Sequence, residues 1–198
     1  MRKLFLIVAL TVVTALAAGL PDAERRVLSD HLNKSSQQFL ASVEGLTDAQ
    51  WNYKAGPDRW SIAQCAEHIA LSEDFLRGMV ENNVLTATPS PDRIAERKPL
   101  DQKVLQMITD RSFKAQAPEP VVPASKFGSP QATLEHFKQS RQKTAALAAT
   151  RDDLRERASE HPAFKELDAY QWLLFLSGHT LRHTAQIQEV KDSPGFPR

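Results

Sequence analysis

This 198-residue sequence has a single cysteine and almost no net charge. Cys65 is the only cysteine, so an intramolecular disulfide bond is excluded and stability in an oxidising compartment must come from core packing. The 25 basic and 24 acidic residues give a net charge of +1, and the basic residues are scattered. This balance gives no electrostatic support for binding to nucleic acid or to an anionic membrane, and we predict neither as a partner.

Strand signals are also missing. No run of β-branched residues alternates with polar residues over a useful length, and the pair Val121 and Val122 is stopped by a proline. No internal repeat has a solenoid period. The 41% of hydrophobic residues is enough for a sizeable core. We therefore predict one compact all-α domain over residues 22–191.

The helical signals predict a four-helix bundle with one short extra helix. Thr47 is a candidate cap for a short turn, and "SEHPAFKEL" is predicted to be a loop. The long connection between the second and third long helices permits either an up-down-down-up or a plain antiparallel order. The predicted helices run from Asp22 to Glu44, from an N-cap at Ser61, from Leu100 to Phe113 (the short one), from Ser129 with Pro130 in its first position to about Ala158, and from an N-cap at Asp168 to about Lys191.

The first 19 residues have the layout of a secretory signal peptide. Arg2 and Lys3 precede an apolar run, and small residues follow before a cleavage site expected after Ala17 or Gly19. A retained membrane anchor is the alternative, but the uncharged stretch over residues 4–20 is short for a full span. The prediction is an exported protein, periplasmic or secreted, with no membrane contact once the signal peptide is removed.

A pair of histidines four residues apart marks the last helix. His179 and His183 lie in "SGHTLRH", on the same stripe as apolar residues such as Trp172 and Val190. Residues at this spacing have β-carbons about 5–6 Å apart on one helix face, so both imidazoles can reach one metal ion. The alternative is a pair of core histidines whose nitrogens bond to the protein itself.

A third ligand must come from another helix, and His68 is the candidate because it lies on the inward stripe of the helix that begins at Ser61. Three neutral imidazoles leave a coordination position open, as in catalytic rather than structural metal sites. Thr180 stands where zinc proteases of the His-Glu-x-x-His type carry their general base, so that class is excluded. The remaining histidines are expected away from the metal: His31, His136 and His161.

Five further polar residues have alternative interpretations. Cys65 could reach the ion but fits better as a small buried residue. Gln186, one turn after His183, either hydrogen-bonds a ligand or a metal-bound water or lies at the bundle edge. Arg141 either binds an anion or, as we favour, packs its stem and extends its head into water. Glu67 and Glu73 are expected in solvent, with orientation of a histidine as the alternative.

Two motifs resemble the DinB/YfiT-like superfamily. "RWSIAQCAEHIALSEDFL" resembles the family's Trp-Ser…His segment, and "QWLLFLSGHTLRHTAQIQEV" resembles its closing helix with His-x-x-x-His followed by Gln-Ile. The resemblance spans about residues 22–190. It implies a four-helix bundle that holds one divalent metal ion, zinc or nickel, on three histidines, which correspond here to His68, His179 and His183.

The resemblance implies an enzyme with a small-molecule substrate, since the family includes thiol-dependent transferases and isomerases and metal-dependent hydrolases. Better-understood members use cytoplasmic low-molecular-weight thiols, from which a signal peptide would separate this chain. We therefore expect hydrolysis of a small molecule. A metal-dependent thiol transferase and a non-catalytic metal-binding or interaction module are the alternatives, and a homodimer is left open.

Overall fold

The computed structural model of the protein describes residues 19–112, 114 and 116–198. The predicted signal peptide therefore lies outside the described residues, except for Gly19. A π-helical segment, Val80–Val84, continues α3, and single 3-10 turns lie at Pro91–Arg93 and Glu119–Val121. The elements are α1 (Asp22–Val43), α2 (Asp48–Asn52), α3 (Ile62–Met79), α4 (Ile94–Arg97), α5 (Leu100–Thr109), α6 (Pro130–Thr150), β1 (Ala158–His161), β2 (Lys165–Asp168) and α7 (Ala169–Lys191).

Helix starts follow the predicted caps. The side chains of Ser61 and Asp168 accept hydrogen bonds from the backbone of Gln64 and Gln171, whose own side chains accept from the backbone of the cap residues. Thr47 forms the same reciprocal cap at α2. These boxes satisfy amide groups that a helix start otherwise leaves unpaired. Both helices that carry the candidate metal ligands, α3 and α7, therefore begin where the sequence predicts.

Two apolar clusters show that the long helices run up, down, down and up. One cluster joins the beginnings of α1 and α7 to the ends of α3 and α6, and the other joins the opposite ends. In agreement, the Tyr170 hydroxyl donates to the Glu24 carbonyl over 3.1 Å, and Lys191 Nζ donates to the Ser42 carbonyl over 2.9 Å. Helices α1 and α7 are thus parallel, and the structure selects the first of the two orders that the sequence left open.

A polar layer crosses the bundle between these clusters. Arg141 of α6 forms a two-pronged ion pair with Glu73 of α3, with both N–O distances 2.8 Å. The same guanidinium donates to Ser35 Oγ of α1 at 2.7 Å and to Thr180 Oγ1 of α7 at 3.0 Å. The expectations for Arg141 and Glu73 were therefore wrong: both are buried, because each neutralises the other and neutral acceptors satisfy the remaining donors.

The prediction of no strands was wrong for residues 158–168. β1 and β2 pair antiparallel, with Ala158 opposite Asp168 and His161 opposite Lys165, in part of the predicted loop. The strands are only four residues each and contain no β-branched residue, so local propensity gives no signal for them. Burial of Leu167 in the core holds the hairpin between α6 and α7.

Two helices end earlier than predicted. α5 stops at Thr109 instead of Phe113, which lies outside the described residues, because Asp110 is extended and its carboxylate accepts from the backbone N–H and hydroxyl of Ser112. α6 stops at Thr150, not near Ala158. Beyond it the buried Arg155 forms ion pairs with carboxylates from other segments, at 2.6 Å to both Glu24 and Asp101.

Close packing sets α5 against α7 directly before the first histidine of the pair. A β-carbon added at Gly178 would overlap the side chain of Ile108, so a larger residue there would move α5. Ile108 also lines the cavity described below. Within the described ranges, no helix combines the length and apolarity needed to cross a bilayer.

Candidate metal centre

The structure brings the three predicted histidines together. His68 of α3 and His183 of α7 are buried, and His179 is half-buried. Their ligand nitrogens all lie within 4.8 Å of one another, the distance range in which one ion can be shared. The ring centroids are 4.3 Å apart for His68 and His183, and 4.5 Å apart for His179 and His183.

Hydrogen bonds orient two of the rings. His68 Nδ1 lies 2.7 Å from the carbonyl oxygen of Val121, and His183 Nδ1 lies 2.8 Å from Gln186 Oε1. Because these oxygens only accept, each Nδ1 carries the proton and each Nε2 keeps its lone pair. This arrangement is typical of metal-bound histidines, whose second nitrogen donates to a protein oxygen. Gln186 therefore lies beside the cluster and not at the bundle edge, but its partner is His183, a role that the sequence did not predict.

The spacing of the first pair of nitrogens fits a shared ion. His68 Nε2 and His179 Nε2 are 3.3 Å apart. Two nitrogens bound tetrahedrally at about 2.0–2.1 Å from one ion lie about 3.3–3.4 Å apart. Since His68 Nε2 carries a lone pair, the pair is joined either by a hydrogen bond from the Nε2–H of His179 or by a cation that takes both lone pairs. The donor set, three neutral imidazoles, suits divalent zinc or nickel.

Burial keeps the three rings uncharged. It is the largest cause that lowers the pKa of His68, lowers the pKa of His179 well below its usual value, and lowers the pKa of His183 to about 3. The neighbouring rings add to the shift, because two positive imidazoliums this close would repel each other. The unprotonated nitrogens that a metal requires are therefore the stable form at neutral pH.

We predict that acid destabilises the metal-free protein through this cluster. Between the unfolded pKa of about 6.5 and the folded pKa of about 3, the unfolded chain binds a proton at His183 that the folded chain does not. The free energy of unfolding should thus fall by about 1.4 kcal/mol per pH unit for each such group as the pH drops below about 6.5. Urea unfolding in the presence of a chelator, at pH 7 and at pH 5, measures this change in the free energy of unfolding. The decrease should be about 2 kcal/mol smaller in His183→Gln, and equal decreases would contradict the prediction.

Glu67 supports the loop that orients His68, so the expectation that it lies in solvent was wrong. Its side chain is buried, with the residue 5% exposed. Its carboxylate accepts from the backbone N–H groups of Ala124, Ser125 and Lys126 at 2.6–3.1 Å. This loop begins three residues after Val121, whose carbonyl accepts from His68. Three charge-assisted bonds therefore hold the acceptor segment in place.

Replacing Glu67 with glutamine should weaken metal binding without removing a ligand. The neutral amide has one acceptor oxygen and presents a donor to the other N–H groups, so the loop and the Val121 carbonyl lose their position. We expect about a tenfold lower affinity, the lower end of the range for partners of metal ligands. Zinc titration against a competing chelator measures this. Glu81→Gln, an exposed site with an ion pair to Arg77, should leave the affinity unchanged.

Cys65, Ser61 and Trp60 lie near His68 at the beginning of α3. Cys65 is fully buried in the apolar cluster and outside the histidine group, as expected, and burial raises the pKa of its thiol to about 12. Ser61 caps α3 as expected. Trp60, directly before this cap, forms part of the site wall: its ring lies 4.9 Å from His68 and 6.1 Å from His183.

The remaining histidines lie outside the cluster, as predicted. His136 of α6 pairs with Asp74 at 2.6 Å, and His31 is on α1. His161 lies at the end of β1, where its ring contacts Trp172 at 4.8 Å between centroids. Although His161 is not in the three-histidine group, it lines the same cavity, which sequence spacing could not indicate.

The histidines open into a cavity of about 550 Å³, large enough for a small molecule. The helical stripe of the last helix predicted Trp172 to face inward, and it lines this cavity together with Ser72 of α3. The loop residues Val121 and Gln116 were missed, because they reach the site only through tertiary contacts. Outside the histidines the wall is formed mainly by α3, α7, the end of α5 and the connection to α6.

Comparison with known families is consistent with this site. The family model of the DinB superfamily matches residues 31–187, most of the chain and all three histidines. The chain belongs to the DinB superfamily. The resemblance of the two motifs is thereby confirmed, as is the predicted all-α, four-helix-bundle fold.

Two relatives of this DinB-superfamily chain come from Bacillus subtilis. YuaE of strain 168 is 29% identical over 161 residues, which cover 81% of this chain and 94% of YuaE. The solved structure of YfiT aligns with a TM-score of 0.55 and 17% identity over 87% of this chain and 88% of that one. YfiT is described as a probable metal-dependent hydrolase with an unusual four-helix bundle topology. At this identity, the likeness to YfiT shows the shared fold.

Proposed function

We propose that this DinB-superfamily protein binds one divalent ion, zinc or nickel, through His68, His179 and His183, and hydrolyses a small molecule there. The 3.3 Å spacing of the Nε2 atoms of His68 and His179 is the observation that carries the proposal, because it matches two ligands of one tetrahedral ion. The description of YfiT as a probable metal-dependent hydrolase supports the reaction class.

The chain's own residues would prepare the site for this reaction. Val121 and Gln186 hold the rings of His68 and His183, and three protein ligands leave room for water or substrate. The bound ion would supply Lewis-acid chemistry, polarising a substrate carbonyl or activating a water molecule. Trp60, Trp172 and Phe175 line the cavity around the histidines.

Proton transfer needs a group other than the residue after His179. Thr180 points into the core, where its hydroxyl accepts from Arg141 and donates to the Leu176 carbonyl. His161 is the cavity imidazole outside the cluster. Its Nδ1 accepts from the Ala163 N–H at 3.1 Å, so its Nε2 carries the proton in the neutral ring. Its ring packs against Trp172 and Phe175, at 4.8 and 5.7 Å between centroids, so it faces a substrate at that end of the cavity.

The test begins with untagged protein, whose metal content is measured beside His68→Ala. Chelated and reloaded samples are then assayed with esters, amides, and a thiol plus an electrophile. We expect ester or amide hydrolysis that disappears on chelation and returns with zinc or nickel. Thiol addition without hydrolysis would indicate a transferase, and full metal loading without turnover a binding module. Absence of bound metal would refute the proposal.

Export through residues 1–19 is proposed together with this function, on the layout of Arg2, Lys3 and the apolar run that follows. Fractionation of cells that produce the full chain tests it, since an exported protein is found outside the cytoplasm and loses the leader mass. Size-exclusion chromatography with light scattering tests the homodimer left open by the sequence.

A further inference from the structure

The histidine cluster lies between two chemically different ends of the cavity. Because α1 and α7 are parallel and α3 runs against them, residues before His68 and after His183 share one end. Residues after Ser72 and before His179 share the other. A molecule bound across the cluster therefore meets both ends, and their chemistry specifies the kind of molecule.

The first end is basic. Its lining includes one acid, Asp58, and four bases from three segments of the described chain: Arg59, Arg111, Lys114 and Arg182. These cations converge on one rim in a near-neutral protein. Such a rim attracts an anion, and guanidinium groups suit a carboxylate in particular.

Neighbouring groups hold the basic end in shape and neutralise part of its charge. Arg111 donates twice to the Glu189 carboxylate at 3.0 and 2.9 Å, and Arg59 reaches the same carboxylate at 3.1 Å. Arg182 donates to the backbone carbonyl of Asp110. Four cations, against Asp58 in the lining and the adjacent Glu189 and Asp110, leave one net positive charge at this end.

The second end is apolar apart from His161, whose ring packs against Trp172 and Phe175. Phe75, Leu76 and Met79 of α3 face Trp172 and Phe175 of α7 across the cavity. Phe75 is 41% exposed, which is unusual for a large aromatic residue on the wall of a cavity. An alkyl or aryl group placed here would remove apolar surface of the protein and of the ligand from water.

Two hydrogen-bond donors in this end have no partner. Ser72 is 3% exposed and Trp172 is 6% exposed, both line the cavity, and neither Ser72 Oγ nor Trp172 Nε1 has a hydrogen-bond partner in the described part of the chain. Buried donors are almost always paired in proteins, and a ligand oxygen would satisfy them. Ser72 is one helical turn from His68, so its hydroxyl lies next to the candidate metal centre.

On the basis of the proposed function, we propose that the substrate is an amphipathic anion: a carboxylate joined through an amide or ester bond to an apolar acyl chain. The carboxylate binds the basic end, the acyl chain binds the apolar end, and the carbonyl between them accepts from Ser72 beside the histidines. Hydrolysis forms a bond from a water oxygen to the acyl carbon. It breaks the bond from that carbon to the leaving nitrogen or oxygen, which takes up a proton.

Three probes separate the two ends by isothermal titration of the zinc-loaded protein. N-octanoylglycine has both the tail and the carboxylate, N-octanoylglycinamide lacks the charge, and N-acetylglycine lacks the tail. We expect N-octanoylglycine to bind at least about tenfold more tightly than either analogue, since each loses one complete set of contacts. The proposal would be overturned if N-octanoylglycine bound no more tightly than either analogue, or if it showed no saturable binding.

Variants assign the preference to the residues named. Arg111→Gln should reduce the preference for acid over amide at least threefold, whereas Arg93→Gln, an exposed arginine outside the cavity lining, should not. Ser72→Ala should weaken N-octanoylglycine binding about fivefold without lowering thermal stability, because no protein hydrogen bond is lost. Ser42→Ala, which removes a bond to the Phe39 carbonyl, should leave binding unchanged. A stability loss in Ser72→Ala with unchanged binding would refute its role.

Failure of this inference differs from failure of the proposed function. Zinc content and ester turnover are measured on the same samples. Protein that binds zinc and cleaves a neutral ester, but shows no preference for the apolar acid, refutes the substrate class alone. Protein that does not retain zinc refutes the proposed function, whatever the probes do.

Discussion

Replacing His179 with alanine should lower the affinity for zinc or nickel by more than about a hundredfold. Mutation of a residue that only hydrogen-bonds to a metal ligand lowers metal affinity about 10–100-fold, and removal of the ligand itself lowers it further. His179 contributes the nitrogen 3.3 Å from His68 Nε2, so its loss leaves two ligands at most. Competition with a chromophoric chelator on chelated and reloaded protein measures the change. Any metal-dependent turnover should disappear with the metal.

His136→Ala is the matched control for this experiment. His136 also lies on a long helix, but its imidazole pairs with Asp74 and packs against Phe127, 4.4 Å between ring centroids. Its removal should leave metal affinity unchanged. Comparable losses in the two variants would show that binding is not centred on the cluster, and no loss in His179→Ala would remove the site altogether.

Replacing Glu73 with alanine should destabilise the fold by about 3–5 kcal/mol, the usual cost of leaving one partner of a buried ion pair without the other. Glu73 is 1% exposed. Its carboxylate binds Arg141 through two bonds and accepts from Thr144 Oγ1 at 2.7 Å. Without it, the guanidinium keeps only neutral acceptors, such as Thr180 and Ser35, in a layer closed to water.

Urea unfolding measures the loss, and Glu81→Ala is the control. Glu81 pairs with Arg77, but its side chain is 39% exposed, so water replaces the pair and the cost should stay below about 1 kcal/mol. Combining Glu73→Leu with Arg141→Met should cost less than Glu73→Ala, because no unpaired charge remains. Similar losses in Glu73→Ala and Glu81→Ala would contradict the role assigned to the polar layer.

The polar layer also affects the site. Thr180, which accepts from Arg141, directly follows His179, so the network that joins the four long helices also fixes the rotation of α7 about its axis. A helix held in this orientation presents His179 and His183 to α3. We therefore expect Glu73→Ala to weaken metal binding as well, by less than His179→Ala does.

The local pattern was sufficient for several parts of this protein. Ser61 and Asp168 mark helix starts because a cap bonds to an amide three residues away, an interaction that any chain segment contains in full. Helical periodicity placed His68, His179 and His183 on inward faces for the same reason. Burying three imidazoles without hydrogen-bond or metal partners costs free energy, and one shared ion removes that cost. The meeting of the three rings was therefore predictable without the fold.

Tertiary structure alone decided the surroundings of these residues. Glu67, Glu73 and Arg141 look like solvent-exposed charges in sequence, because their partners are 39–109 residues away along the chain. The hairpin after α6 was missed for a related reason: its stability comes from Leu167 in the core and not from strand propensity. Sequence patterns predict interactions between residues that are close along the chain. Whether a charge or a short strand is buried depends instead on which distant groups the bundle brings next to it.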